Sequence, residues 1–428
     1  MKKVILAAIL CAAAVLLTAG CKSKEPPRDK EGRLILKVPE WDATTNSYYG
    51  QIITAFEAAH PDIKVEPIDI PSNDYTQKLA VMLNGGSDVD AFWVKDGDTT
   101  RGLFSRGQLL DLKPFIERDG IDLSVYNGLA ERYVMDGKQI ALPASSANYV
   151  LYYNKDRFDD AGIPYPPNDL TWQQFEELAR RLTSGSTDTQ DKIWGAHFHF
   201  WPACVQNWAV QDGQHTIVET DYSFMKPYYE MVLRMQNDGI TQKFASLKQA
   251  NIAYTNAFLS SKFNVAMLPM GFWFAPTIID RIKRGETEPF NWGMAQLPHP
   301  EGVPAGWTVG SVTPIAISAR SRSKEAAWEF VKFVTSEEGA RIYAANGAYP
   351  CRMNDELLQV LASVAGMPEG TAEAIKTTNI VFDRPMVDSV AEINQMLDQE
   401  HGRIMLGEIT IDQGLAAMAT RAQEILNQ

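Results

Sequence analysis

Cysteine is scarce in this chain, four in 428 residues, and two of the four fall within the first 21. The other two, Cys204 and Cys351, are too few for a disulfide framework, so a packed core must hold the fold. They read as two buried thiols, although the sequence sets no distance between them and a single bridge stays open. Histidine is also sparse, at six residues. The one close pair, His197 and His199, has no cysteine or acidic partner at ligand spacing, which argues against a metal centre. There is no His-Glu-x-x-His, no glycine loop ending in Lys and Ser or Thr, and no Gly-x-Ser-x-Gly elbow. Nothing asks for a cofactor. Basic residues are outnumbered, 40 against 53 acidic, which argues against nucleic acid as a partner. Beyond the N-terminal segment no apolar run is long enough to span a bilayer.

What is present begins at the N-terminus. Met1-Lys2-Lys3 precedes an apolar segment from Val4 to Leu17, too short for a membrane-spanning helix and of the form of a secretory signal covering residues 1–20. Thr18-Ala19-Gly20-Cys21 resembles a bacterial lipoprotein cleavage box, with Thr18 where the box usually has an aliphatic residue. That resemblance implies that Cys21 becomes a lipidated N-terminus, anchored at the extracytoplasmic face of the cell membrane. Stable anchoring requires more than one acyl chain. Loss of Lys2 and Lys3 takes the formal charge from −13 to −15. Residues 22–33 offer no apolar side chain beyond two prolines and read as a solvated tether.

The remaining chain, about 400 residues, exceeds a single core of ordinary size, so two packed domains are expected. Leu34 to Val38 reads as a buried strand. Asn46 or Ser47 then caps a helix with Tyr49, Ile52, Ile53 and Phe56 on one face. Strands at Ile63 to Ile68 and Val89 to Trp93 flank a helix from about Asn73 to Leu83. This alternation implies an α/β fold with mainly parallel sheets. Gln139 to Pro143, Val150 to Tyr153 and Phe263 to Leu268 are strand-like. Thr171 caps a helix carrying Trp172, Phe175, Leu178 and Leu182 on one face, and from Ala372 onward the pattern is mostly helical.

Several stretches occur in a telling order: Gly85-Gly86-Ser87-Asp88-Val89-Asp90 before Phe92-Trp93, Gly137-Lys138-Gln139-Ile140-Ala141-Leu142-Pro143 before Leu151-Tyr152-Tyr153-Asn154-Lys155, and Ser323-Lys324-Glu325-Ala326-Ala327-Trp328-Glu329-Phe330 before Thr335-Ser336-Glu337-Glu338-Gly339. Together they resemble the extracellular solute-binding proteins (family 1) of ABC sugar importers. The resemblance implies a two-lobed periplasmic-binding-protein fold of type II, with a ligand cleft at the hinge. It places residues 34–143 plus 297–335 in the N-terminal lobe and 144–296 plus 336–428 in the C-terminal lobe. The expected role is that of a monomeric receptor that binds a carbohydrate and delivers it to a membrane permease without turnover. Two alternatives stay open: an exported carbohydrate-active enzyme, which needs only two facing carboxylates, and the same receptor with a non-sugar cargo.

In open α/β sheets ligands sit beyond the carboxyl ends of strands. Trp41 and Trp93 occupy such ends, and Trp273 and Trp307 lie in loops or strand ends near glycine. Their indoles can stack on the CH face of a pyranose. Trp172 and Trp328 fall at core spacing. Gly310, in Gly306-Trp307-Thr308-Val309-Gly310-Ser311, would let backbone approach the ligand, and Arg352 can reach the cleft. By position in the family, Asp96 resembles the acidic ligand residue, Ser146 and Asn148 fall among polar ligand contacts, and Trp201 forms a wall of the cleft. A non-sugar anion would call for cationic anchors, and this set contains only Arg352.

Overall fold

The computed structural model describes residues 25–41, 43, 48–86, 88–95, 97–186, 191–260 and 263–427. Cys21 and its signal, Asp96, and the helix caps expected at Asn46 or Ser47 lie outside them. Strand β1 (Leu34–Trp41) runs parallel to β2 (Ile63–Ile70), with Leu34 opposite Ile63 and Trp41 opposite Ile70. The helix between them, Tyr48–Ala59, buries Tyr49, Ile52, Ile53 and Phe56, the four residues that helical spacing puts on one face. Strand β3 (Ala91–Trp93) and a small hairpin, β4 (Val134–Met135) with β5 (Lys138–Gln139), follow.

Strand β6 (Leu142–Asn154) merges two segments that the sequence suggests separately. Residues Tyr149 to Asn154 pair with β7 (Met267–Gly271) and β8 (Trp292–Gln296). Residues Leu142 to Asn148 pair with Ile315 to Gly310 of β9 (Trp307–Ile317). Strand β10 (Tyr349–Pro350) adds to β6, and β11 (Asn379–Phe382) to β9. The expectation of mainly parallel sheets needs correction. β1 with β2 and β9 with β11 are parallel, but β6 is antiparallel to each of its neighbours. A chain that leaves one lobe on β6 and returns on β9 must run in opposite directions on the two.

Each lobe has its own core. In the first, Leu36, Val38, Phe56, Trp93, Ile315, Trp328, Phe330 and Tyr343 pack together, extended by Tyr75, Leu79, Phe92 and Tyr133. In the second, Phe158, Phe175, Trp208, Tyr229, Ile393 and Met418 share one cluster, and Tyr152, Phe258, Phe274 and Leu361 another. Trp172 is buried in the second lobe and Trp328 in the first, as their spacing indicates. Helix Trp172–Leu182 starts with the capping box at Thr171 and Gln174.

The lobe boundaries shift from those expected. Leu297 and Val309 lie in the second lobe's core and Val312 in the first, so the return crossing occurs within β9. Helix Glu337–Ala345 sends Tyr343 into the first core, because its apolar face docks there before the chain turns into β10. The C-terminal stretch also holds β11, which helical patterning does not suggest. Cys204 and Cys351 are both free and buried, one in each lobe's core. Burial pushes the Cys204 thiol up to about 12, so it stays protonated and inert.

Buried ionisable groups give the two lobes opposite responses to pH. In the second lobe, desolvation lowers His197 to about 4 and His199 and His401 to about 3. The folded state holds these rings neutral while the unfolded chain takes up protons below pH 6.5, so stability falls as pH drops from 6.5 toward 4. The slope reaches about 1.4 kcal/mol per pH unit for each ring. Urea unfolding measured across that range should show this steepening, and His401→Gln should reduce it; a flat profile would refute the assignment. In the first lobe, burial and then the Asp69 charge raise Glu40 to about 7. The folded state therefore favours the protonated acid, and the cost of ionising Glu40 grows from pH 4.5 to 7. Glu40→Gln should stabilise the protein on the order of 2 kcal/mol at pH 8 and change little at pH 4. Equal effects at both pH values would show that Glu40 is not desolvated.

Candidate functional site

The first lobe offers its candidate site at the carboxyl ends of β1 and β3, which run side by side where the Asp90 amide donates to the Lys37 carbonyl at 3.0 Å. The Tyr75 hydroxyl ties these ends together, 2.7 Å from the Trp93 carbonyl and 3.2 Å from that of Pro39. Trp41 is partly exposed and stands edge-on to Tyr75 at 4.8 Å and to Tyr49 at 5.9 Å. The Lys95 ammonium lies 5.7 Å from the Trp41 ring centre and is held by the Ser72 carbonyl and hydroxyl. Tyr48, half-buried, leans on Tyr49 and Tyr343. Glu40 sits beneath this surface, 3% exposed, with Oε2 unpartnered.

Trp93 does not belong to that surface. It is fully buried, donates its indole N–H to the Tyr343 hydroxyl at 2.9 Å and packs edge-on against Tyr49. A strand-end position marks a site only if the side chain leaves the sheet on the open side, and here it faces the helices.

The second lobe brings Trp201, Tyr254, Trp273 and Tyr149 together. Trp273 follows β7, and Gly271 leaves the space that its indole fills, since a Cβ there would overlap the ring. The Trp273 side chain is hydrogen-bonded to the Tyr254 hydroxyl. Its ring stands edge-on to Tyr149 at 5.4 Å, and Trp201 lies 5.4 Å from Tyr254. Both tryptophans are partly exposed. Behind Trp201, His199 packs edge-on at 4.3 Å.

Beside these rings lies a polar group that the sequence reading misses. Arg384 donates to Asn394 Oδ1 at 2.7 Å, Gln206 Oε1 at 3.1 Å, Asn207 Oδ1 at 3.2 Å and the Asp383 carbonyl at 2.8 Å. Arg384 and Asp383 both act electrostatically on the Tyr149 hydroxyl, whose burial keeps it protonated well above the usual range. A lone arginine in a stretch without periodicity gives no sequence signal. Tyr149 adjoins Asn148 in the chain but carries no signal of its own.

The other expected residues divide. Asn148 and Tyr149 are neighbours on β6 and so point to opposite faces. Asn148 is buried, with Nδ2 3.4 Å from Thr377 Oγ1 and Oδ1 unpartnered; Ser146 Oγ is likewise unpartnered. Thr377 lines a hollow of about 240 Å³ that both lobes enclose, with Tyr126 and Arg132 from the first and Lys376 and Asn379 opposite. Gly310 is a packing residue, because a Cβ there would stand 2.6 Å from the Ala147 carbonyl where β6 and β9 meet. Trp307 packs on the second-lobe core beside Gly213. Arg352 lies 3.8 Å from Glu337 on a first-lobe groove with His60 and Lys332. The structure does not bring Trp307 or Arg352 into the aromatic group.

Residues 42–341 match the family model described as bacterial extracellular solute-binding protein. The structure of a sugar transporter from Rhizobium etli, in an open conformation, aligns with a TM-score of 0.85 at 38% identity, covering 91% of this chain and 99% of that one. An ABC substrate-binding protein from Listeria monocytogenes, in complex with cycloalternan, aligns with a TM-score of 0.76 at 25% identity over 92% and 99%. The multiple sugar-binding protein of Streptococcus mutans is 23% identical over 367 residues, 80% of each chain. Two lobes joined by crossing strands, with aromatic side chains gathered where they meet, fit these matches, and the chain belongs to the bacterial extracellular solute-binding protein family.

Proposed function

We propose that this protein is the carbohydrate-binding receptor of an ABC importer, held to the extracytoplasmic face of the membrane by a lipidated Cys21. The observation that carries the reading is the second-lobe group of Trp201, Tyr254, Trp273 and Tyr149 with Arg384 alongside. Flat rings take the CH faces of a sugar, and a fixed polar group beside them takes its oxygens. The names of the relatives, which include a sugar transporter and a multiple sugar-binding protein, support this. Trp41, Tyr48 and Lys95 are the first lobe's contribution, to which Asp96 is added on family position. Cargo touching both lobes favours the closed arrangement, and only such differential contact can drive closure. Hinge closure of this kind is the established behaviour of periplasmic binding proteins. The receptor acts as a monomer and passes its cargo to a permease unchanged.

Thermal shift of the soluble chain beginning after Cys21, screened against mono-, di- and oligosaccharides, should single out one sugar class; a ligand at a hundred times its Kd adds about 2.7 kcal/mol. Trp273→Ala should weaken that ligand by about 2 kcal/mol, roughly thirtyfold, while the apo protein remains folded. Unchanged affinity in a folded variant would remove Trp273 from the site. Cys21→Ser in the complete chain should move the protein from the membrane to the soluble fraction; retention in the membrane would refute the anchor.

A further inference from the structure

Arg384 is held by hydrogen bonds alone among the described residues. Its four hydrogen bonds go to three side-chain amides and one main-chain carbonyl, all neutral. Among the described residues it takes part in no ion pair, whereas Arg101, Arg234 and Arg421 each hold a carboxylate. A partly buried guanidinium whose hydrogen bonds all go to neutral groups gains strongly from a charged acceptor.

The amides sharpen the requirement. A guanidinium only donates, so Asn207 and Gln206 must turn their oxygens toward Arg384 and their NH2 groups away. Both side chains are fully buried; Asn207 Nδ2 completes no hydrogen bond, while the Gln206 side chain is turned to the Tyr229 hydroxyl, to which it is hydrogen-bonded. Arg384 has five N–H groups and spends four, which leaves one on Nη2. The group therefore presents one unused N–H on a positively charged fork held in a fixed orientation. A sugar hydroxyl can accept there through its oxygen, as a neutral acceptor. An ionised carboxylate, which only accepts, uses it well.

The place also lies between the lobes. Arg384 reaches back to helix Ala203–Val210 of the second lobe, while Met386, two residues on, packs against the first-lobe core. Asp388 receives a bidentate pair from Arg101 of the first-lobe helix Gly97–Ser105 at 2.8 and 3.0 Å. Asp383, the adjacent acid, bears on the same Tyr149 hydroxyl.

We propose that the cargo is an acidic saccharide, and that Arg384, oriented by Asn207, Gln206 and Asn394, receives a uronate carboxylate while Trp273 and Trp201 stack on the sugar rings. This rests on the saccharide reading of the cleft and narrows it. Isothermal titration of the soluble chain with trigalacturonate, its methyl ester, maltotriose and glucose 6-phosphate tests it. The ester keeps the rings and removes the charge. Trigalacturonate should bind roughly tenfold to a hundredfold tighter than its ester, the range of one charged hydrogen bond. Arg384→Gln should bring acid and ester to within about twofold of each other, whatever it does to the two absolute affinities. Arg384→Lys, which keeps charge but not the fork, should recover only part of it. Equal binding of ester and acid, or tighter binding of maltotriose, would overturn the acidic cargo and leave the sugar receptor standing. Preference for glucose 6-phosphate would overturn the uronate assignment, and failure of every saccharide would overturn the receptor reading itself.

Discussion

Strand β6 is the constraint on which the rest depends. One continuous strand hydrogen-bonds to β9 in the first lobe, with a register shift between Pro143 and Ser145, and to β7 and β8 in the second, so the two lobes share one frame. Side chains alternate along a strand, and β6 therefore also decides which residues face which space. It turns Tyr149 toward Trp273 and Trp208 while Asn148 looks toward Thr377. Where β6 and β9 come closest, only a residue without a side chain fits, and Gly310 stands there.

The two half-sites built on this frame differ in character. The first lobe's surface is Trp41 and Tyr48 beside a tethered lysine, over an acid that burial holds near neutrality. The second lobe's is a wall of four rings with an arginine braced by three amides. Bracing matters for recognition, because a guanidinium already fixed by Asn207, Gln206 and Asn394 loses little freedom when it takes up one more partner. Stacking surfaces tolerate many sugars, and discrimination then falls to the few polar groups with fixed directions.

Much of the architecture was legible in the residues. The helical spacing of Tyr49, Ile52, Ile53 and Phe56, and the Thr171 capping box, are local signals that tertiary contacts reinforce. Trp201, expected from family position, and Trp273, expected from its neighbouring glycine, both lie in the second-lobe group of rings, and Gly271 marks a place where a ring replaces a Cβ. Trp93 looked the same in sequence and lies in the core, since a strand end does not reveal on which side of the sheet its side chain leaves. Arg384 and β11 left no signal. Their roles come from pairing with β9, 72 residues away in the chain, and with helix Ala203–Val210, further still.

The interleaving of the lobes bears on when the chain can fold. Tyr343, deep in the first core, accepts the Trp93 indole from 250 residues upstream, and the second core is not complete without Met418. No stretch emerging early from the ribosome contains a finished domain. Native contacts of such long sequence separation form slowly, because the entropy of closing large loops is lost before packing compensates it. An N-terminal part that lacks the residues needed to close a core stays open until the rest of the chain is available, a property that suits the passage of an extended polypeptide through a membrane.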